Sequence, residues 1–145
     1  MLFRSIDTLR SAAAFAFDTE TTSLNPMYAR LVGLSFCHAA GKAFYVPVGH
    51  LLGDQLPLSE VLEKLRPIFT DPKYKKSAHH GKYDMAVLAT SGVAVQGLGF
   101  DTMIAAHLMG EKSIGLKALS FNRLGVEMTP ITSLIGTGEI GRAHV

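Results

Sequence analysis

Ala14-Phe15-Ala16-Phe17-Asp18-Thr19-Glu20-Thr21 is a short apolar run that turns acidic at its end. Its length and its aromatic residues read as a buried strand over Ala14 to Asp18. Side chains at i and i+2 of a strand share a face, so Asp18 and Glu20 stand together where the strand ends. Two carboxylates that close repel unless a proton or a cation lies between them. Hard oxygen donors of this kind suit Mg²⁺ or Mn²⁺. Two such ions, about 3.5–4 Å apart, can activate a water and stabilise the leaving oxygen of a phosphodiester. Taken alone, the pair is also consistent with a solvated acidic strand end.

The flanking residues extend the pattern. Ser5 to Ala13 reads as a short helix capped by Ser5 or Asp7, and Thr22 to Arg30, with Ser-Leu-Asn-Pro, as a loop. Leu31 to Cys37 alternates, with Val32, Leu34 and Phe36 on one face. Ala39-Ala40-Gly41-Lys42 supplies a turn into Ala43 to Val48, where Phe44, Val46 and Val48 share a face. Three strands with short turns predict an antiparallel meander. Cys37, among apolar strand residues, is expected in the core.

The period then changes. Leu58, Val61, Leu62, Leu65, Ile68 and Phe69 recur at helical spacing, with Pro57 and Ser59 near the start. Lys75 to His79 reads as a strand, Tyr83 to Thr90 as a helix and Val93 to Phe100 as holding a strand. Asp101 caps a helix through Leu108, and Gly125 ends a helix over Leu116 to Leu124. The fold class is α/β: a mixed sheet, an antiparallel meander followed by parallel strands, flanked by helices.

With 145 residues there is enough chain for one domain with a core. Hydrophobic residues at 48% and charged residues at 18% exclude a disordered chain. No apolar run nears the roughly 20 residues that span a bilayer, and Met1 to Arg10 lacks a secretory layout. The single cysteine excludes an internal disulfide and suits a reducing compartment, so a cytoplasmic chain is expected, and the lack of a spanning run leads us to expect no membrane partner. A net charge of +2 leaves any nucleic-acid contact to local sites.

A second segment, Ala78-His79-His80-Gly81-Lys82-Tyr83-Asp84, joins a strand to a helix. Asp84 and Asp101 each stand near a helix start, where an aspartate is as readily a cap as a ligand. His79 and His80 point to opposite faces if extended, and no Cys or third His lies near them, which argues against zinc. His38, His50 and His107 read as packing or surface residues.

Together these motifs resemble the 3′→5′ proofreading exonuclease domain of bacterial DNA polymerase I-type enzymes, DEDD exonucleases on a ribonuclease H-like fold. Asp18-x-Glu20-Thr21 matches the first motif and Tyr83-Asp84 the second. Similar stretches are Tyr45-Val46-Pro47-Val48-Gly49-His50, Phe100 to Ala106, and Leu116-Lys117-Ala118-Leu119. The resemblance implies two divalent cations, Mg²⁺ or Mn²⁺. Asp18 would bridge both, Glu20 would bind the water-activating ion, and Asp84 would hold the second. It implies Thr19, Leu24, His80 and Tyr83 at the nucleic acid, with Leu24 near the terminal base and Tyr83 packing the helix against the site. His80 stands where the family usually has Asn, which departs from its pattern. Asp101 would fix a helix start behind the site. The implied partners are a single-stranded DNA 3′ end and a polymerase domain of the same full-length chain. An RNA-processing exonuclease of the same superfamily, and a vestigial structural domain of a polymerase, are the alternatives.

The family's third motif, Tyr-x-x-x-Asp, has no match in these residues. Residues 1–138 therefore read as a partial exonuclease domain. Residues 139–145, Glu-Ile-Gly-Arg-Ala-His-Val, read as a non-native tail. Without the fourth carboxylate, impaired activity and an apolar face left uncovered are expected.

Overall fold

Strand β1 (Ala14–Thr21) runs through the middle of a five-stranded sheet in the computed structural model, which describes residues 2–51 and 53–129. The remaining elements are α1 (Leu2–Ser11), β2 (Leu31–Ala39), β3 (Lys42–Pro47), α2 (Leu58–Phe69), β4 (Lys75–Ala78), α3 (Gly81–Thr90), β5 (Leu98–Asp101), α4 (Thr102–Leu108) and α5 (Leu116–Leu124). The sheet order is β3-β2-β1-β4-β5. β1, β2 and β3 pair antiparallel, whereas β4 and β5 join in parallel. The expected meander followed by parallel strands is what forms. Residues 139–145, read as a tail, lie outside the described residues.

Alternation along β1 decides which face is core. Phe15, Phe17 and Thr19 are buried; Asp18 and Glu20 are exposed. Leu34 and Phe36 of β2 and Val46 of β3 join the buried set. α2 covers this face with Val61, Leu62, Leu65, Ile68 and Phe69. The Phe69 ring sits centrally, 5.2 Å from Phe17, 6.2 Å from Phe15 and 6.1 Å from Phe36, in tilted and edge-on geometries that aromatic pairs favour. Val87 and Leu88 of α3 and Leu9 of α1 complete the layer.

Three sequence readings are corrected. Helix α1 begins at Leu2, so Ser5 and Asp7 lie inside it rather than capping it. Buried Ile6 and Leu9, one turn apart, set that helix. The strand expected within Val93 to Phe100 shrinks to Leu98–Asp101, because Gly97 breaks the extended run at φ 74°. A side chain there would lie 2.9 Å from the Pro72 carbonyl oxygen. Cys37 is only half-buried: strand parity puts it opposite Ala16, on the face of Asp18.

Lys76 is 2% exposed on β4, on the core side. Its ammonium donates to the backbone carbonyls of Asp71 (2.9 Å) and Gln96 (2.7 Å), tying together the connections that flank β4. Burial lowers its pKa to about 8, against the opposing pull of Asp71. Lys76→Met keeps the stem but strands both carbonyls, and we expect it to lower stability by about 2–3 kcal/mol in urea unfolding. The folded chain releases this proton before the unfolded chain does. Wild-type stability is therefore expected to rise as pH climbs above 8, a trend absent in the Met variant.

β5, α4 and α5 carry exposed Phe100, Ile104, Leu108, Phe121 and Leu124. No helix among the described residues is long and apolar enough to cross a membrane.

Candidate active site

The polar side of the sheet is lined by small residues around one acidic corner. Register sets Asp18 opposite Ser35 and Glu20 opposite Gly33, so both carboxylates project from the face that α2 leaves free. A cavity of about 290 Å³ opens beside Asp18, bordered by Ala16, Ser35, Cys37, Ser77, His79 and Leu116.

Asp84 reaches this corner from α3. Its carboxylate is 3% exposed and does not cap the helix. The Thr19 backbone N–H donates to its Oδ1 at 3.0 Å, and the Thr19 hydroxyl donates to the same oxygen at 2.6 Å. Thr19 lies between Asp18 and Glu20, so this contact pins Asp84 to the backbone that carries them. Thr19 was expected at the nucleic acid. Its side chain instead faces the core and is committed to Asp84.

The three acids feel one another. Crowding by protein atoms, then the charges of Asp84 and Glu20, push Asp18 up to about 6. Asp18 still reaches water, so the crowding is partial. Glu20 is raised by burial and by Asp84, and His50 opposes the shift. Burial raises Asp84 as well, while the two Thr19 donors favour its ionised form. At Asp84 two Thr19 donors offset part of the burial, whereas Asp18 meets two like charges besides its burial.

Among the described residues, no three His, Cys, Asp or Glu side chains converge closely enough to hold a metal ion as they stand. The donor set nonetheless has the chemistry of a hard-cation site. Asp18, Glu20 and Asp84 offer oxygen only, and all three have raised pKa values that a positive charge would reverse.

The corner is framed by the turn into α3. His80 adopts the left-handed region at φ 62°, a conformation tolerated by few residues besides Gly, Asn, Asp and His. Its side chain is exposed beside the site. The Tyr83 hydroxyl bonds Thr21 Oγ1 and the Ser23 carbonyl, packing α3 against the end of β1. Leu24, in the following loop, is 75% exposed.

Asp101 caps α4, as its position suggested. It accepts from Met103 N–H at 2.9 Å and Ile104 N–H at 3.3 Å, and also from His80 N–H (3.1 Å) and Gly81 N–H (2.7 Å). Partial burial works against its charge, but these N–H donors outweigh it and hold Asp101 below the usual carboxylate range. The bond to Gly81 fixes the start of the helix that bears Asp84. Asp101→Ala is expected to lower stability by about 2–3 kcal/mol, from the lost cap and the stranded Gly81 N–H. The folded pKa is depressed, so Asp101 stabilises the chain above the ordinary carboxylate pKa, and that contribution is lost as pH falls through the folded value. Urea unfolding at neutral and acidic pH checks both statements: the gap between wild type and Asp101→Ala should narrow in acid.

A residue cluster missed in the sequence lies on the far side of Glu20. The Tyr45 hydroxyl bonds His50 Nε2 at 2.6 Å. The cluster depends on the β2–β3 register and on the course of the loop after β3.

Comparison with known proteins agrees with this architecture. A family model described as 3′-5′ exonuclease matches residues 2–135. DNA polymerase I of Chloroflexus aurantiacus is 48% identical over 135 residues, covering 92% of this chain and 14% of the polymerase. DNA polymerase I of Pseudomonas aeruginosa is 35% identical over 137 residues, covering 90% and 15%. The chain thus spans about one-seventh of the length of these relatives. Among solved structures, Brucella melitensis NrnC with bound Mg²⁺ superimposes with a TM-score of 0.68 at 27% identity, over 93% of this chain and 61% of that one. The same protein bound to pGG matches equally well.

Proposed function

The chain belongs to the 3′-5′ exonuclease family, and on that premise we propose that it is the exonuclease domain of a DNA polymerase I, in which Asp18, Glu20 and Asp84 act together to shorten single-stranded DNA from its 3′ end. The observation that carries this reading is the anchoring of Asp84 to Thr19, between the other two acids. It ties the Asp84 carboxylate to the residue between Asp18 and Glu20, and all three carboxyl groups have raised pKa values.

In this reading Asp18, Glu20 and Asp84 would hold two divalent cations, Mg²⁺ or Mn²⁺, with Asp18 shared, Glu20 serving one and Asp84 the other. When bound, such cations activate a water and stabilise the leaving oxygen at phosphorus. The remaining work is positional. Thr19 fixes Asp84, and Asp101 fixes the helix start that presents it. Leu24 and His80, both exposed, would contact the terminal nucleotide in this reading. Tyr83 holds the Leu24 loop to α3 through Ser23. Contacts of this kind are sequence-tolerant, resting on stacking and backbone rather than on base edges. The polymerase relatives favour proofreading beside a polymerase domain of one longer chain.

For a chain of these 145 residues the reading rests on three carboxylates, and slow turnover is expected. The test is a 5′-labelled single-stranded DNA incubated with the purified chain and Mn²⁺, beside an RNA of the same sequence. The expected result is a slow ladder shortening from the 3′ end of the DNA, abolished by chelation and by Asp18→Asn. Preferential shortening of the RNA would replace the DNA assignment with an RNA-processing one. Digestion that survives both chelation and Asp18→Asn would overturn the reading altogether.

A further inference from the structure

Glu20 is an exposed, flexible side chain at the end of a strand, and Asp84 repels it. A carboxylate in that position swings toward solvent unless something restrains it, because ordering a long side chain costs conformational entropy. The β2–β3 hairpin supplies a candidate restraint. Tyr45 pairs with Ser35, which pairs with Asp18, so all three side chains rise from the same face. The ring leans across Gly33, the residue opposite Glu20. A Cβ built on Gly33 would fall 1.8 Å from the Tyr45 hydroxyl oxygen. That hydroxyl therefore stands where the cross-strand neighbour of Glu20 would begin, a position about 4.5–5.5 Å from the opposing Cβ.

His50 is fixed from two directions. Its Nε2 shares a 2.6 Å hydrogen bond with the Tyr45 hydroxyl, and the rings meet edge-on at 5.5 Å. Its backbone is clamped by Gln55: the His50 N–H donates to Gln55 Oε1, and Gln55 Nε2 donates to the His50 carbonyl, each at 2.6 Å. A loop residue held at backbone and ring together has little freedom left.

We propose that Tyr45 and His50 are positioning residues that hold the Glu20 carboxylate beside Asp18, with Gly33 left bare so that the Tyr45 ring can lie across β2. The inference rests on the reading of Glu20 as a cation ligand. Partners that orient a ligand typically contribute 10–100-fold to metal affinity when removed.

The test is calorimetric titration of the 145-residue chain with Mn²⁺, alongside thermal unfolding without metal. His50→Ala and Tyr45→Phe are each expected to weaken Mn²⁺ binding by roughly 10-fold. His50→Gln can still bond the Tyr45 hydroxyl and is expected to bind close to wild type. Gly33→Ala removes no functional group but displaces the ring, and should weaken binding like Tyr45→Phe. The unfolding midpoints of Tyr45→Phe and His50→Gln should stay near wild type, which separates positioning from folding. Wild-type affinity in both His50→Ala and Tyr45→Phe, with affinity lost in Glu20→Ala, would overturn the proposal and leave the site reading standing. Wild-type affinity in Glu20→Ala would overturn both.

Discussion

Asp18→Asn is expected to abolish divalent-cation binding and, at the same time, to make the metal-free chain slightly more heat-stable. The two effects have one cause. Crowding and the neighbouring charges of Asp84 and Glu20 raise Asp18 to about 6. The folded chain therefore binds a proton that the unfolded chain has already released between pH 3.8 and about 6. Stability from this group is full below that window and lost as pH rises through it. An amide carries no charge to lose, so the variant lacks the decline. Because Asp18 reaches water, its repulsions are screened, and the expected gain at neutral pH is only about 1–3 °C. The same proton competes with a cation, so wild-type Mn²⁺ affinity should climb steeply from pH 5 to 7 and then level. Thermal melts with and without Mn²⁺ read both effects. A variant that is less stable without metal, or that binds Mn²⁺ like wild type, would show that Asp18 is a structural residue.

Asp84 should behave in the opposite way. Asp84→Ala removes the acceptor for both Thr19 donors in a buried place, and a loss of about 2–4 kcal/mol is expected. Asp84→Asn keeps an oxygen for those donors and sheds the charge that burial disfavours, so most of the stability should return. Cation binding should be lost in both. Urea unfolding separates fold from ligand: equal stability losses in the Ala and Asn variants would mean that the Thr19 contact is not what holds this corner. A destabilised Ala variant beside a well-folded, non-binding Asn variant is the expected pair.

Much of this is legible in the amino-acid sequence. The apolar run into Asp18, the alternation of Leu34 and Phe36, and the turn at Gly41 give the meander, because strand parity and turn chemistry are local properties. Asp101 was readable as a cap for the same reason. Parity could also have moved Cys37 out of the core, since it alternates with Leu34 and Phe36, and could have shown Thr19 facing inward between its acidic neighbours. What could not be read locally depends on the meeting of distant segments. The bond from Thr19 to Asp84 spans 65 residues and requires β4 to lie beside β1. The Tyr45–His50 pair requires the β2–β3 register and the bare Gly33. The left-handed backbone at His80 is set by Asp101, 21 residues on, gripping the turn.

The most direct measurement is the Mn²⁺ affinity of four proteins, wild type, Asp18→Asn, Glu20→Gln and Asp84→Asn, from the electron paramagnetic resonance signal of the free ion at neutral pH. If the three carboxylates hold cations jointly, every single change weakens binding by at least about tenfold while the chain stays folded. Wild-type affinity in any one of the three variants contradicts a shared site.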